Sequence, residues 1–115
     1  MAIFKLADLA GNSSVFNEKY ILFMSDAGAS TTEFVIKYPT KNSAEKIIVN
    51  EALATILVTA TSFKACVSEG TSIALDKAKI LSAVDLGTGS KVTYDAGNNV
   101  AEEIIIDIDT DALVA

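Results

Sequence analysis

Two runs decide how this chain reads: Glu18-Lys-Tyr-Ile-Leu-Phe-Met24 and Thr31-Thr-Glu-Phe-Val-Ile-Lys-Tyr38, separated by Ser25-Asp-Ala-Gly-Ala-Ser30. Both are rich in aromatic and branched side chains, and in the second Phe34, Ile36 and Tyr38 alternate with Glu33, Val35 and Lys37. Two β-prone runs joined by a short Gly-containing loop predict a hairpin. Pro39 ends the second strand, since it has no N–H to give a ladder. In the first run Tyr20, Leu22 and Met24 share one side while Ile21 and Phe23 share the other, so both faces need cover. A chain of 115 residues has little sheet to bury on two sides, and a neighbouring subunit is the expected cover for one face.

Downstream, Asn42-Ser-Ala-Glu45 has the spacing of a capping box, which predicts a helix continuing through Leu57. Ile48, Val49, Ala52, Leu53, Ile56 and Ala60 would form its apolar stripe. The β-branched stretch Val58 to Phe63 fits either the end of that helix or the next strand. Gly70-Thr-Ser72 and Gly87-Thr-Gly-Ser90 punctuate the short apolar runs Ile73-Ala-Leu75 and Ala78 to Val84, which read as strands; a second helix over Leu75 to Val84 is the alternative. Lys91 to Tyr94, the turn Asp95 to Asn99 and Val100 to Asp109 give a second hairpin signal. Upstream, Phe4, Leu6, Leu9 and Phe16 spaced around Gly11-Asn-Ser-Ser14 suggest an extended N-terminal arm over residues 1–17. The expected fold is α+β: one domain over 18–115, a largely antiparallel sheet with one amphipathic helix packed on one face.

The missing residue types exclude much chemistry. The chain has no His, Arg, Trp or Gln, one Cys and one Pro. Without Arg or a positive balance there is little to drive nucleic-acid binding. Without His there is no imidazole base for a Ser or Cys nucleophile, and Cys66 alone cannot build a zinc site. Cys66 reads as a small buried hydrophobe. The longest uncharged stretch, Ala52 to Phe63, falls short of the roughly 20 apolar residues of a spanning helix. The first eight residues include Lys5 and Asp8, which argues against a secretory signal and for a product made in the cytoplasm.

The formal charge is −6, yet residues 1–94 hold nine Lys against nine acids; the excess is six acids in residues 95–115. On a strand Ile104, Ile106 and Ile108 face the core, while Glu103, Ile105, Asp107, Asp109 and Asp111 line the wet side. Asp107-Ile-Asp109-Thr-Asp111 matches the opening of an EF-hand, but Ala112 stands where the loop needs Gly and no twelfth-position Glu follows. Those aspartates could instead bind a cation shared with another chain, or pair across strands with Lys77 and Lys79. Carboxylates in a row along one strand do not converge as catalysis requires. Gly87-Thr-Gly-Ser90 lacks the ending of a phosphate loop. No catalytic, cofactor-binding or metal-ligating residue is assigned.

The hairpin, the run Ser43-Ala-Glu-Lys-Ile-Ile-Val-Asn-Glu-Ala-Leu-Ala-Thr-Ile-Leu57 and the Thr-rich segment after it resemble short virion structural proteins of marine tailed phages. That resemblance implies a capsid decoration or cement subunit located in the virion. It would act without enzymatic activity, as a homo-oligomer contacting a major capsid or tail protein, with no nucleic-acid or membrane partner. A tail or fibre component, or a free module holding a ligand or divalent cation at its acidic strand, are the alternatives.

Overall fold

The hairpin forms as its alternation predicts. In the computed structural model, which describes residues 2–97 and 99–114, strand β3 (Ile21–Gly28) pairs antiparallel with β4 (Thr31–Ile36). Their turn carries Ala29 at φ 51° and Ser30 at φ 61°, the pair of positive values that a two-residue type I′ turn demands. Asp26 Oδ1 accepts from Gly28 N at 2.8 Å, and Thr31 Oγ1 donates to the Gly28 carbonyl at 2.6 Å, holding that turn from both sides.

These strands lie at the heart of a five-stranded antiparallel sheet in the order β5-β4-β3-β7-β6, with β5 at Glu45–Val49, β6 at Phe63–Ser68 and β7 at Thr71–Asp76. A second sheet, β10-β9-β8, joins β8 (Ile80–Asp85), β9 (Ser90–Asp95) and β10 (Ala101–Ile106). A third, two-stranded sheet pairs β1 (Ile3–Ala7) with β2 (Ser13–Asn17). Helices are short: α1 (Leu53–Thr59), α2 (Thr110–Val114), and 3-10 turns at Glu18–Tyr20 and Lys77–Lys79.

The central sheet has a core on each side. On one face Ile21, Met24, Phe34, Ile36 and Ala74 pack with Phe4 and Phe16 of the β1–β2 hairpin and with Leu53 and Ile56 of α1. On the other, Ile73, Leu75 and Cys66 pack with Val92, Tyr94 and Ile106 of the three-stranded sheet and Leu113 of α2. Aromatic contacts mark both: Phe16 meets Phe34 edge-on at 5.5 Å, and Phe23 stacks on Tyr94 at 5.6 Å. The two-sided apolar pattern is therefore satisfied within one chain, and the expected covering subunit is not what buries the second face.

Three sequence expectations change. The helix anticipated from Asn42 does not start there: Glu45–Val49 is β5, in register with β4 from Glu45↔Ile36 to Val49↔Thr32. Three consecutive β-branched residues, Ile47-Ile48-Val49, favour the strand, and five ladder pairs outweigh one capping box. Helix α1 begins eight residues later, at Leu53, with no side-chain cap from Ala52. The N-terminal arm is not extended; Phe4 pairs with Phe16 and both turn inward, while Asp8 bridges Val49 and Asn50 N donates to the Ala7 carbonyl. The alternative helix over Leu75 to Val84 is absent, since β7 and β8 flank a single 3-10 turn there. Val58 to Phe63 divides, its first residues ending α1 and Phe63 opening β6. The predicted turn after Tyr94 includes Asn98, which lies outside the described residues, as do Met1 and Ala115.

Candidate functional site

The acidic segment was the one cluster the sequence singled out. Strand β10 ends at Ile106, so the aspartates beyond it do not form a row. Asp107 turns back to β6, where its Oδ1 accepts from Val67 N at 3.0 Å while its own N–H donates to the Val67 carbonyl at 3.0 Å. Asp109 accepts from Ala112 N at 2.8 Å and so caps α2; Asp111 stands exposed in that helix's first turn. The spacing that mimics an EF-hand opening serves a strand-to-helix junction. Among the described residues no group of three or more His, Cys, Asp or Glu is placed to hold a metal ion. The inward face holds as read: Ile106 is buried and Ile104 and Ile108 pack beside it.

The proposed Lys77 and Lys79 pairing with Asp107 and Asp109 fails, because both lysines sit in the turn before β8 and β10 pairs with β9. The ion pair found among the described residues is Lys91 with Glu103, 3.0 Å apart on the outer face of the small sheet. Both partners are well exposed, so it adds little stability.

Two buried carboxylates, Glu18 and Asp76, went unread in the sequence. Glu18 is wholly buried, and its carboxylate accepts from Ala2 N (2.8 Å), Thr61 N (2.9 Å) and Oγ1 (3.1 Å), and Ser62 N (2.9 Å) and Oγ (3.0 Å). Burial raises its pKa, but the hydrogen bonds from Ser62, Ala2 and Thr61 outweigh that and hold it below the usual carboxylate value. It clasps the N-terminal segment to the loop between α1 and β6. Asp76, also buried, accepts from Ala78 N through Oδ1 at 2.9 Å, but its Oδ2 has no partner among the described residues. Ser62 is near it, yet its single hydroxyl proton goes to Glu18. Burial raises the Asp76 pKa, against the pull of the Ala78 N–H and Lys79. Alternation through Thr71–Asp76 could not flag Asp76, because the last four residues of that strand are all buried, on both faces. Cys66 is a buried small side chain as read, its thiol pushed up to about 11 by burial and then by Asp107.

The loop Gly87 to Ser90 is the β8–β9 turn, as expected. Gly89 is fixed by space: a Cβ there would lie 2.1 Å from the Ile106 carbonyl oxygen. Ser90, buried beside it, donates to the Ile108 carbonyl at 2.7 Å.

An open groove of about 790 Å³ lies where the chain enters β3 and β8 and leaves β4 and β9. Lys19, Lys37, Lys41 and Lys79 line it with Tyr20 and one carboxylate, Asp95. Lys37 donates to the carbonyls of Tyr38 (3.0 Å) and Lys41, shaping the loop after Pro39. Lys19 lies over the Tyr20 ring at 5.8 Å. A smaller groove of about 550 Å³ at the other end of the strands is apolar, lined by Leu53, Leu57, Cys66 and Ile73 with Asp26 and Asp107 at its rim. In the smaller groove Asp107 comes close to Cys66, and together with burial it raises the thiol's pKa rather than activating it. No helix among the described residues is long and apolar enough to cross a membrane. No protein-family model matches the chain, and no curated protein or solved structure matches it either.

Proposed function

We propose that this chain is a non-enzymatic structural protein of a viral particle, a decoration or cement subunit that stabilises a shell through contacts with its own copies and with a major capsid or tail protein. The observation that carries the reading is where apolar side chains remain exposed after both cores are filled. On the outer face of the small sheet Val84 and Ile105 flank Lys91 in one cross-strand row, 59% and 57% exposed. Ile3 and Val15 stand out in the same way from the β1–β2 hairpin. Large exposed apolar side chains on sheet faces favour protein contact. In this reading α1 is the amphipathic cover of one face of the central sheet, and the outer layers meet partners.

The mechanism is mass action: a subunit that binds only the assembled state stabilises it, by about 2.7 kcal/mol per site at a hundredfold excess over Kd. The test is reconstitution. Particles stripped of this chain are heated with and without it added back, and its return should raise the temperature of genome release. Absence of both co-sedimentation and a shift in that temperature would refute the reading.

A further inference from the structure

The two ends of the strands carry opposite charge. Strands β8 and β10 run the same way on either side of β9, from the lysine groove at Lys79 and Ala101 to Asp85 and Ile106. Six residues at roughly 3.3 Å each put about 20 Å between those ends. At the far end Asp85, Asp107, Asp109 and Asp111 are exposed, and Thr110 Oγ1 donates to Asp85 at 3.4 Å, tying β8 to α2 there. The cation on that end of β9, Lys91, is engaged with Glu103. Four of the nine lysines thus meet at one end against Asp95, and four carboxylates gather at the other. That strand length of about 20 Å makes the two ends separate surfaces.

We infer that the lysine groove is the docking site for the acidic end of a second copy, so that copies associate head to tail. The occupant is argued from charge: the groove is the molecule's cationic concavity, and the matching anionic end is on the same chain. Such a contact is heterologous, using two different patches, and it propagates into a ring or an open chain. Because its charges are exposed, it must weaken as salt shortens the screening length. The inference rests on the assembly reading and specifies its self-contact.

Two variants test it by sedimentation velocity. The groove variant carries Lys19→Glu, Lys41→Glu and Lys79→Glu, leaving Lys37 to hold its loop. The acid-end variant carries Asp107→Asn, Asp109→Asn and Asp111→Lys, in which Asn keeps the acceptors for Val67 and Ala112. Wild type should form species larger than a dimer at low salt, with apparent association falling at least tenfold when ionic strength is raised to about 0.5 M. Each variant alone should be monomeric. Mixed, they retain one intact groove and one intact acidic end between them, and should give a 1:1 dimer that grows no further. Thermal melts check folding, and the single variants Lys41→Glu and Asp111→Lys replace any set that unfolds. Continued assembly of either variant, or a mixture that stays monomeric, overturns the inference. A monomeric wild type overturns it too: binding of polyglutamate would then assign the groove to a foreign acidic partner, and co-sedimentation with particles would leave the assembly reading standing.

Discussion

Replacing Glu18 by Gln changes one atom's chemistry at the most heavily hydrogen-bonded side chain of the fold. The carboxylate accepts five hydrogen bonds, from the backbone N–H groups of Ala2, Thr61 and Ser62 and from two hydroxyls. The least damaging amide orientation keeps oxygen at the Oε2 position, facing Thr61 N, Ser62 N and Ser62 Oγ. Its NH₂ then points at Ala2 N–H, donor against donor. An orphaned buried donor costs about 1–3 kcal/mol, and each of three bonds that loses its charge gives up about 1 kcal/mol more. The expected loss is about 4–6 kcal/mol, a large fraction of the roughly 5–15 kcal/mol that holds a domain together. It should appear in urea unfolding followed by circular dichroism, and as a fall in Tm of about 10 °C or more. The acid limb gives a second readout. Because the folded pKa is depressed, the Glu18 contribution is complete above the unfolded value of about 4.3 and is lost as pH falls through the lower folded value. The Gln variant should lack that part of the acid limb. Asp76 has the opposite sign: its raised folded pKa makes ionisation costly, so its effect grows as pH rises from the unfolded value through the folded one. A Gln variant within about 1 kcal/mol of wild type, with the same acid limb, would refute the clasp.

Gly89→Ala should destabilise by about 3 kcal/mol or abolish folding, since its Cβ would meet the Ile106 carbonyl oxygen at 2.1 Å and backbone must move; soluble expression and Tm check it. Ala29→Asn with Ser30→Gly should gain about 1 kcal/mol in urea unfolding, because both positions have positive φ and Asn-Gly suits the type I′ turn. Cys66 should resist a thiol reagent at pH 8, where a thiol near 11 is protonated as well as buried, and should be labelled at the unfolding rate. Phe34→Ala, which empties the contact with Phe4 and Phe16, should cost about 3–5 kcal/mol by the same unfolding assay.

The hairpins were legible because their alternation has a single physical meaning. Phe34 and Ile36 are buried while Glu33 and Val35 are only half-buried, and Ile104 and Ile106 turn inward as the period of two requires. The segment Asn42 to Leu57 was misread for a definite reason. Val49 and Leu53 are buried and four apart, as on a helix, but Val49 gets there by alternating with Ile48 in β5 and Leu53 by starting α1. A local pattern cannot distinguish these routes; the partner strand β4 does. The acidic segment was misread where the strand was taken too far, because Asp107 and Asp109 satisfy backbone N–H groups at its end and cannot be read as a solvated row. Glu18 could not be read at all, since its donors at Thr61 and Ser62 are more than forty residues away.

Two-sided burial also changes what supports an assembly role. The rings of β3 and β4 looked like a face waiting for another subunit, but Phe23 stacks on Tyr94 and Phe34 packs under Phe4 and Phe16. The chain covers both faces of its central sheet with its own segments. In the proposed assembly, contacts between copies use what remains outside: apolar residues such as Val84 and Ile105, and the charge-separated ends. Such surfaces suit a subunit that folds first and docks afterwards. Since the acids cluster at one end, the proposed self-association should respond to ionic strength far more than folding does, because Glu18 is shielded from salt while Asp109 and Asp111 are not. A salt titration that lowered Tm and oligomer size together would contradict this order of events.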